Sequence, residues 1–191
     1  MTYLTRNLPN LITLSRIAAV PLTIWLIMEG LLLYAFWVFV AAGVSDALDG
    51  FIAKRFDMET ELGKYLDPLA DKALLVSIYI SLGLEGYVAS WLVILVVFRD
   101  IAIVGGALLL ETLTHSLTMQ PLMVSKVNTV MQIVLAAVVM ANVGYGGADV
   151  GGLWADALDV LVLITAVTTV VSGFAYAGTC LKRASQVEEK E

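Results

Sequence analysis

The sequence predicts an all-α integral membrane protein with six transmembrane helices and with its N- and C-termini in the cytoplasm. Three observations predict this fold class: the composition, six apolar segments, and a one-sided distribution of lysine and arginine. Hydrophobic residues make up 60% of the 191 residues and charged residues 15%, whereas soluble domains average roughly 45–50% apolar and about 25% charged. The chain is therefore too apolar for an ordinary soluble domain.

Each apolar segment approaches or exceeds the roughly 20 residues that a spanning helix needs. The segments cover residues 8–28, 31–53, 68–84, 90–110, 121–141 and 157–181. Polar or glycine-containing stretches separate them at 29–30, 54–67, 85–89, 111–120 and 142–156. The first segment opens near Pro9, a residue favoured in the first turn of a helix. We expect a single transmembrane domain over residues 1–181 and a polar C-terminal tail at 182–191.

Lysine and arginine set the orientation. If the N-terminus is cytoplasmic, all 11 lie in or near the cytoplasmic regions: Arg6, Arg16, Lys54, Arg55, Lys64, Lys72, Arg99, Lys126, Lys182, Arg183 and Lys190. The opposite connections contain none. Because lysine and arginine mark the cytoplasmic side of a membrane protein, this distribution favours cytoplasmic termini.

Charge and residue counts exclude several function classes. The net charge of −6 argues against a nucleic-acid partner, which is bound through basic surfaces. Cys180 and His115 are the only cysteine and histidine, so a disulfide framework and a multi-histidine metal site are excluded. The N-terminus resembles neither a cleaved signal peptide nor an Arg/Ser-rich presequence. We therefore expect a multi-pass protein of the bacterial inner (plasma) membrane, with a mitochondrial membrane as the alternative.

Acidic residues concentrate in one predicted cytoplasmic connection and its flanks, residues 45–72. Asp46 and Asp49 are three residues apart and Asp67 and Asp71 are four apart, so each pair occupies one face of its helix. Four such carboxylates repel one another unless protons or cations neutralise them. A pair of acidic residues at the end of a spanning helix often has no function beyond forming a solvent-exposed face. Four at helical spacing, all hard oxygen ligands, favour a Mg²⁺ or Mn²⁺ site.

The residues between the acids suit an anionic ligand. Gly50, Ala53 and Gly63 are small and leave room for a ligand to approach the backbone. Four basic residues accompany the acids: Lys54, Arg55, Lys64 and Lys72. Carboxylates, a divalent cation and basic side chains together predict a diphosphate-binding site.

The spacing resembles the signature of the CDP-alcohol phosphotransferase (CDP-alcohol phosphatidyltransferase) family, D-x2-D-G-x2-A-R-x8-G-x3-D-x3-D. The corresponding residues are Asp46, Asp49, Gly50, Ala53, Lys54, Gly63, Asp67 and Asp71. Every interval fits over these 26 residues. Lys54 replaces the arginine of the family, and a lysine cannot make the bidentate contact of a guanidinium with phosphate.

This resemblance implies a metal-dependent transferase whose two divalent cations are held by Asp46, Asp49, Asp67 and Asp71. It implies that the CDP moiety contacts the first seven signature positions, from Asp46 to Asp67. Asp71 resembles the family's proposed general base, which removes the proton from the hydroxyl of the acceptor. CDP-diacylglycerol is the implied donor, and a homodimer in the membrane is the implied assembly.

Further segments resemble the phospholipid-forming branch of the family. LDPLADK at 66–72, Arg99-Asp100 and SKVNT at 125–129 are most similar to mitochondrial-type cardiolipin synthases. Phosphatidylglycerolphosphate synthases typically have Arg-Glu where this chain has Arg99-Asp100, and G-K-x-K-T where it has SKVNT. We therefore expect transfer of a phosphatidyl group from CDP-diacylglycerol to phosphatidylglycerol, giving cardiolipin and CMP. The alternative acceptor is glycerol 3-phosphate, whose higher negative charge suits the neutral Val127-Asn128 less well.

Basic residues of the spans are candidates for acceptor binding, as in related enzymes. We expect Arg99 and Lys126 to hold the acceptor's phosphate, with Arg16 as a third candidate. The alternative for Arg16 is extension of its side chain to the membrane interface. Asn128 and Gln132 share a helical face and are expected either to line the same pocket or to hydrogen-bond between helices.

Other small and polar residues are interpreted as sites of close helix packing: Gly105, Gly106, Thr165, Thr168, Thr169 and Ser172. The string DALD at 46–49 recurs at 156–159 without the following glycine and without a second acid pair. Asp156 and Asp159 are therefore interpreted as interfacial carboxylates.

Two other function classes use intramembrane acids. An ion-coupled transporter typically shows inverted repeats and broken helices near mid-membrane, and no such repeat is evident. An intramembrane aspartyl protease has two acids facing each other within the bilayer, which four acids near its surface fit poorly. Metal-dependent release of CMP distinguishes the transferase from both.

Overall fold

A computed structural model describes residues 18–56, 61–114, 123–147 and 153–188, and the side chains within 18–46, 72–106, 123–147 and 156–179. Every long element in these ranges is an α-helix. The helices are α1 (described over Ala18–Met28), α2 (Leu32–Phe56), α3 (Glu61–Leu84), α4 (Ser90–Thr114), α5 (Met123–Gly144) and α6 (Leu153–Glu188). The predicted all-α class is confirmed for this part of the chain.

The helices extend past the apolar segments at several ends. α2 continues to Phe56 and α3 begins at Glu61. The acid-bearing stretch is consequently helical on both sides of residues 57–60. α6 continues to Glu188, so most of the polar tail expected at 182–191 is part of a helix.

Two of the predicted breaks form the same capping turn. Gly30 has a φ of 72° and Gly86 a φ of 77°, a left-handed conformation that glycine adopts without steric cost. After Gly30, the amide of Leu31 donates to the carbonyl of Leu26 over 2.8 Å, and an equivalent bond follows Gly86. This is the long hydrogen bond of a Schellman motif. The glutamate–glycine pairs thus end α1 and α3 where the sequence predicts.

The chain groups into two compact units. The first comprises Met1–Val88 and Ala136–Val150, and the second comprises Ala89–Leu135 and Gly151–Glu191. The division falls inside α5. Within the second unit, α4 packs against α6.

The two units differ in what they bury. In the first unit the buried side chains are mainly apolar, with Ile27, Ile78 and Tyr79 completely inaccessible, and the buried polar residues among those described are Thr23 and Ser81. The second unit contains the other described buried polar residues: Arg99, Asp100, Asn128, Gln132, Thr165, Thr169 and Ser172. Most of the buried polar side chains in the described part of the chain therefore belong to the second unit.

Large apolar side chains are exposed on the helices. On α6 they include Leu163, Val167 and Phe174, and on α4 they include Phe98. Soluble monomers rarely expose large contiguous apolar surfaces. By length and composition, α5 and the Asp156–Thr179 part of α6 can cross a membrane, and the other apolar stretches found in the described residues are shorter. These features suit a membrane protein, while six spans with cytoplasmic termini stay a prediction.

Close approach of two helices occurs at Gly144, the last residue of α5. A Cβ atom there would lie 2.6 Å from the backbone nitrogen of Leu33 and 2.7 Å from its Cα, too short for any real contact. At Gly105 nothing in the described part of the chain lies within 4 Å of the Cβ position. The expectation of close packing at Gly105 is therefore wrong.

We predict that Gly144→Ala lowers the stability of the protein, because its methyl group would overlap the backbone of α2. Overpacking of this kind costs about 1–3 kcal/mol. The matched control Gly105→Ala places its methyl group in open space inside a helix, where alanine is favoured over glycine by about 0.5–1 kcal/mol. Apparent Tm in detergent should fall for the first variant and be unchanged or rise for the second. Equal Tm values would contradict the close approach.

Candidate active site

The four signature acids lie on two successive helices of the first unit. Asp46 and Asp49 belong to α2, and Asp67 and Asp71 belong to α3. Each pair lies about two to three turns from the junction of the two helices, roughly 9–15 Å along the axis. The chain from Phe56 to Glu61 cannot span more than about 18 Å. Both acid pairs therefore lie in the halves of α2 and α3 that adjoin this connection.

Of the four acids, the side chain of Asp46 is described, and it is half-buried. The side chains of the other three lie outside the described residues, as do those of Ala53 and Lys54 and the surroundings of Gly50 and Gly63. Carboxylates one turn apart on each of two helices fit a hard divalent cation, which takes oxygen ligands. No group of three potential ligands occurs among the described residues, a range that leaves out three of these acids. The metal site stays a prediction.

Arg99, on α4, is a buried basic residue of the second unit. It is only 4% exposed and forms an ion pair with Asp100, with Nη1 donating to Oδ1 over 2.6 Å. Its Nη2 donates to Oγ of Ser125 on α5 over 2.6 Å and to Oγ of Ser172 on α6. An unpaired buried charge is very unfavourable, so these partners are what allow an arginine here. Arg99 does not extend to the surface.

The Nε atom of Arg99 is different from its other nitrogens. It is buried and has no hydrogen-bond partner within the described residues. Leaving a buried donor unpaired typically costs about 1–3 kcal/mol. A donor in that position is available to a ligand oxygen that gains access to it.

Lys126 follows Ser125 in the first turn of α5 and is exposed. Ser125 is hydrogen-bonded to Arg99. The two basic residues expected to bind the acceptor's phosphate therefore belong to the same part of the second unit. Arg16, the third candidate, lies outside the described residues. The acid pairs belong to the first unit, and Arg99 and Lys126 to the second.

Asn128 makes hydrogen bonds between helices. Its Oδ1 position lies 3.0 Å from Oγ1 of Thr168 and 2.8 Å from that of Thr169. The same hydroxyls lie 2.9 Å and 2.7 Å from the carbonyls of Ile164 and Thr165 on their own helix. A hydroxyl donates only one proton, so the arrangement is best satisfied if the carboxamide donates to both threonines. Of the two roles that the sequence left open, Asn128 takes the inter-helix one.

The sequence did not reveal the roles of Ser125 and Ser172. A signal was present, since Thr165, Thr168, Thr169 and Ser172 recur at spacings that place them on one face of α6. Ser172 and Thr169 are buried on that face and bond to another helix. They were interpreted as packing residues because spacing does not identify a hydrogen-bond partner. Asp156 and Asp159 are exposed, in agreement with the interfacial interpretation.

Comparison with known proteins identifies relatives of two kinds. The chain is 34% identical over 187 residues to the chloroplastic CDP-diacylglycerol–glycerol-3-phosphate 3-phosphatidyltransferase 1 of Oryza sativa, covering 89% of this chain and 56% of the relative. It is 32% identical to the CMP-forming cardiolipin synthase of Rattus norvegicus, covering 89% and 60%. The chain thus spans little more than half the length of these two relatives.

A third relative is of similar length to this chain. The CDP-diacylglycerol–glycerol-3-phosphate 3-phosphatidyltransferase of Bacillus subtilis is 31% identical over 191 residues, covering 89% of this chain and 93% of the relative. A model of the CDP-alcohol phosphatidyltransferase family matches residues 6–172, a range that contains both acid pairs, Arg99, Lys126 and Ser172. The chain belongs to the CDP-alcohol phosphatidyltransferase family.

Proposed function

We propose that this protein transfers a phosphatidyl group from CDP-diacylglycerol to a glycerol-containing phosphate acceptor and releases CMP. The observation that carries the proposal is the placement of the two acid pairs of the family signature on the successive helices α2 and α3. The relatives named for this type of transfer support it.

In this reaction the acceptor's hydroxyl oxygen attacks the phosphorus that carries the diacylglycerol. The bond from that phosphorus to the CMP oxygen breaks, and CMP leaves with the electron pair. Asp71 takes the proton of the attacking hydroxyl. Lys54 adds a point charge beside the diphosphate, and the small residues Gly50, Ala53 and Gly63 leave space for the cytidine and ribose.

Asp46, Asp49, Asp67 and Asp71 would hold two divalent cations, Mg²⁺ or Mn²⁺. When bound, these ions would neutralise the diphosphate and polarise the attacked phosphorus. Without them, four carboxylates would repel a negatively charged donor.

Glycerol 3-phosphate is the acceptor that the relatives support best. The relative from Bacillus subtilis, which is close to this chain in length, has glycerol 3-phosphate in its name. We therefore revise the expectation from the sequence, which was phosphatidylglycerol, and propose a phosphatidylglycerolphosphate synthase.

Cardiolipin synthesis stays the second candidate for the reaction because of the charge balance around Arg99. Its charge is already balanced by Asp100, and the buried residue at 128 is a neutral asparagine. Of the basic side chains described in the second unit, Lys126 then adds one net positive charge. A phosphate diester such as phosphatidylglycerol carries one negative charge, whereas the monoester carries nearly two.

We also propose that the protein crosses the bacterial inner membrane six times, with the active site and both termini in the cytoplasm, and that it forms a homodimer. The one-sided distribution of lysine and arginine supports the orientation, and the exposed apolar side chains support the membrane location. The lipid donor, CDP-diacylglycerol, would then enter from the cytoplasmic leaflet.

The acceptor is tested by a direct assay. Purified protein with CDP-diacylglycerol and Mg²⁺ or Mn²⁺ is given glycerol 3-phosphate and phosphatidylglycerol separately, and CMP and the lipid product are measured. We expect metal-dependent CMP release with glycerol 3-phosphate. Product from phosphatidylglycerol alone would establish cardiolipin synthesis instead. The absence of CMP release with either acceptor would contradict phosphatidyl transfer and favour a class such as a transporter.

Asp71→Asn should retain the fold and nucleotide binding but lose turnover by about a hundredfold or more, because an amide cannot accept the hydroxyl proton. The matched control is Asp159→Asn, which alters the exposed copy of the DALD string on α6 and should leave turnover unchanged. CMP release gives kcat, and calorimetry with a CDP ligand gives nucleotide affinity. Turnover near the wild-type rate in Asp71→Asn would remove Asp71 from the mechanism.

Orientation is tested by cysteine labelling in a Cys180→Ser background. Glu85→Cys, in the exposed turn before α4, should react with a membrane-impermeant maleimide on intact spheroplasts. Ser185→Cys should react only after permeabilisation. The reverse pattern would show that the termini face outward.

A further inference from the structure

We infer that Ser172, together with Ser125, is a positioning residue for acceptor binding: the two hydroxyls hold the guanidinium of Arg99 so that its Nε–H is presented to the acceptor's phosphate. This inference rests on the proposed function. The shared chemistry is a glycerol phosphate group, whether it belongs to a soluble phosphate monoester or to a lipid headgroup.

The contacts of Arg99 define the plane of its guanidinium. Nη1 is held by Asp100 at 2.6 Å, and Nη2 by Ser125 and by Ser172. These partners come from α4, α5 and α6. A guanidinium is planar and rigid, so fixing two of its nitrogens also fixes the direction of the third N–H.

The stem of Arg99 is held by the same part of α6. A Cβ atom on Gly173 would lie 3.8 Å from Cγ of Arg99, so the backbone next to Ser172 passes close beside the side chain. Head and stem of the arginine are thus located by adjacent residues of one helix. Loss of the Ser172 hydroxyl would remove one of the two contacts of Nη2 and loosen the orientation of the guanidinium, while the stem stays in place.

Two features favour a ligand-binding purpose over a purely structural one. Nε is buried without a partner in the described part of the chain, although a hydroxyl-rich helix face lies beside it. The two positioning groups are neutral hydroxyls, so they orient the arginine without adding further negative charge. A second carboxylate in place of either serine would compete with phosphate for the guanidinium.

The test compares Ser172→Ala, Ser172→Thr and the wild type. Ser172→Ala should raise the acceptor's KM about tenfold, equivalent to ~1.4 kcal/mol, with kcat and the KM for CDP-diacylglycerol nearly unchanged. Ser172→Thr retains a hydroxyl and should restore the acceptor's KM. The matched control is Ser81→Ala, a buried serine of α3 whose hydroxyl donates to the carbonyl of Ser77 on its own helix. It should leave the acceptor's KM at the wild-type value.

A binding measurement separates this inference from the proposed function. Calorimetry with glycerol 3-phosphate, without CDP-diacylglycerol, should show about tenfold weaker binding to Ser172→Ala than to Ser81→Ala. Equal affinities of the two variants, or equal changes of kcat and of both KM values, would overturn the positioning role while leaving phosphatidyl transfer intact. Absence of CMP release by the wild type would instead contradict the proposed function, and the affinities would still decide the role of Ser172.

Discussion

The packing of α4, α5 and α6 in the second unit depends on how the buried charge of Arg99 is compensated. Arg99 places a guanidinium inside the fold on α4, where it is almost fully buried and where an unpaired charge is very unfavourable. Asp100 balances the charge, and the hydroxyls of Ser125 and Ser172 connect the same side chain to α5 and α6. Apolar burial has no directional preference. The hydrogen bonds of Arg99 therefore supply the specific registry among these three helices.

The hydroxyl-bearing face of α6 follows from the same constraint. Between helices in a membrane, apolar packing gives little net gain, because lipid tails are as apolar as a neighbouring helix. Polar contacts between helices then contribute the specificity that the hydrophobic effect contributes in water. Thr169 and Ser172 lie one turn apart, and they contact Asn128 and Arg99 respectively. A single face of α6 thus locates residues from both α4 and α5.

The sequence predicted the features that depend on local signals and missed those that depend on distant partners. Gly30 and Gly86 were recognisable as helix ends because capping involves only neighbouring residues. Ser125 and Ser172 are 26 and 73 residues from Arg99, and a hydroxyl in a helix can also bond its own backbone, so their spacing did not reveal their partner. Close packing was assigned to Gly105, while Gly144 is the position whose space is limited by another helix.

The same distinction applies to the two groups of residues predicted for function. The acid signature occupies 26 consecutive residues on two successive helices and could be identified from spacing alone. The acceptor side depends on a charge balance that only tertiary contacts reveal. Asp100 cancels the charge of Arg99, which leaves Lys126 as the net positive charge of that group. A phosphate monoester carries nearly two negative charges, so full neutralisation of a monoester acceptor would take about one positive charge more than this group supplies.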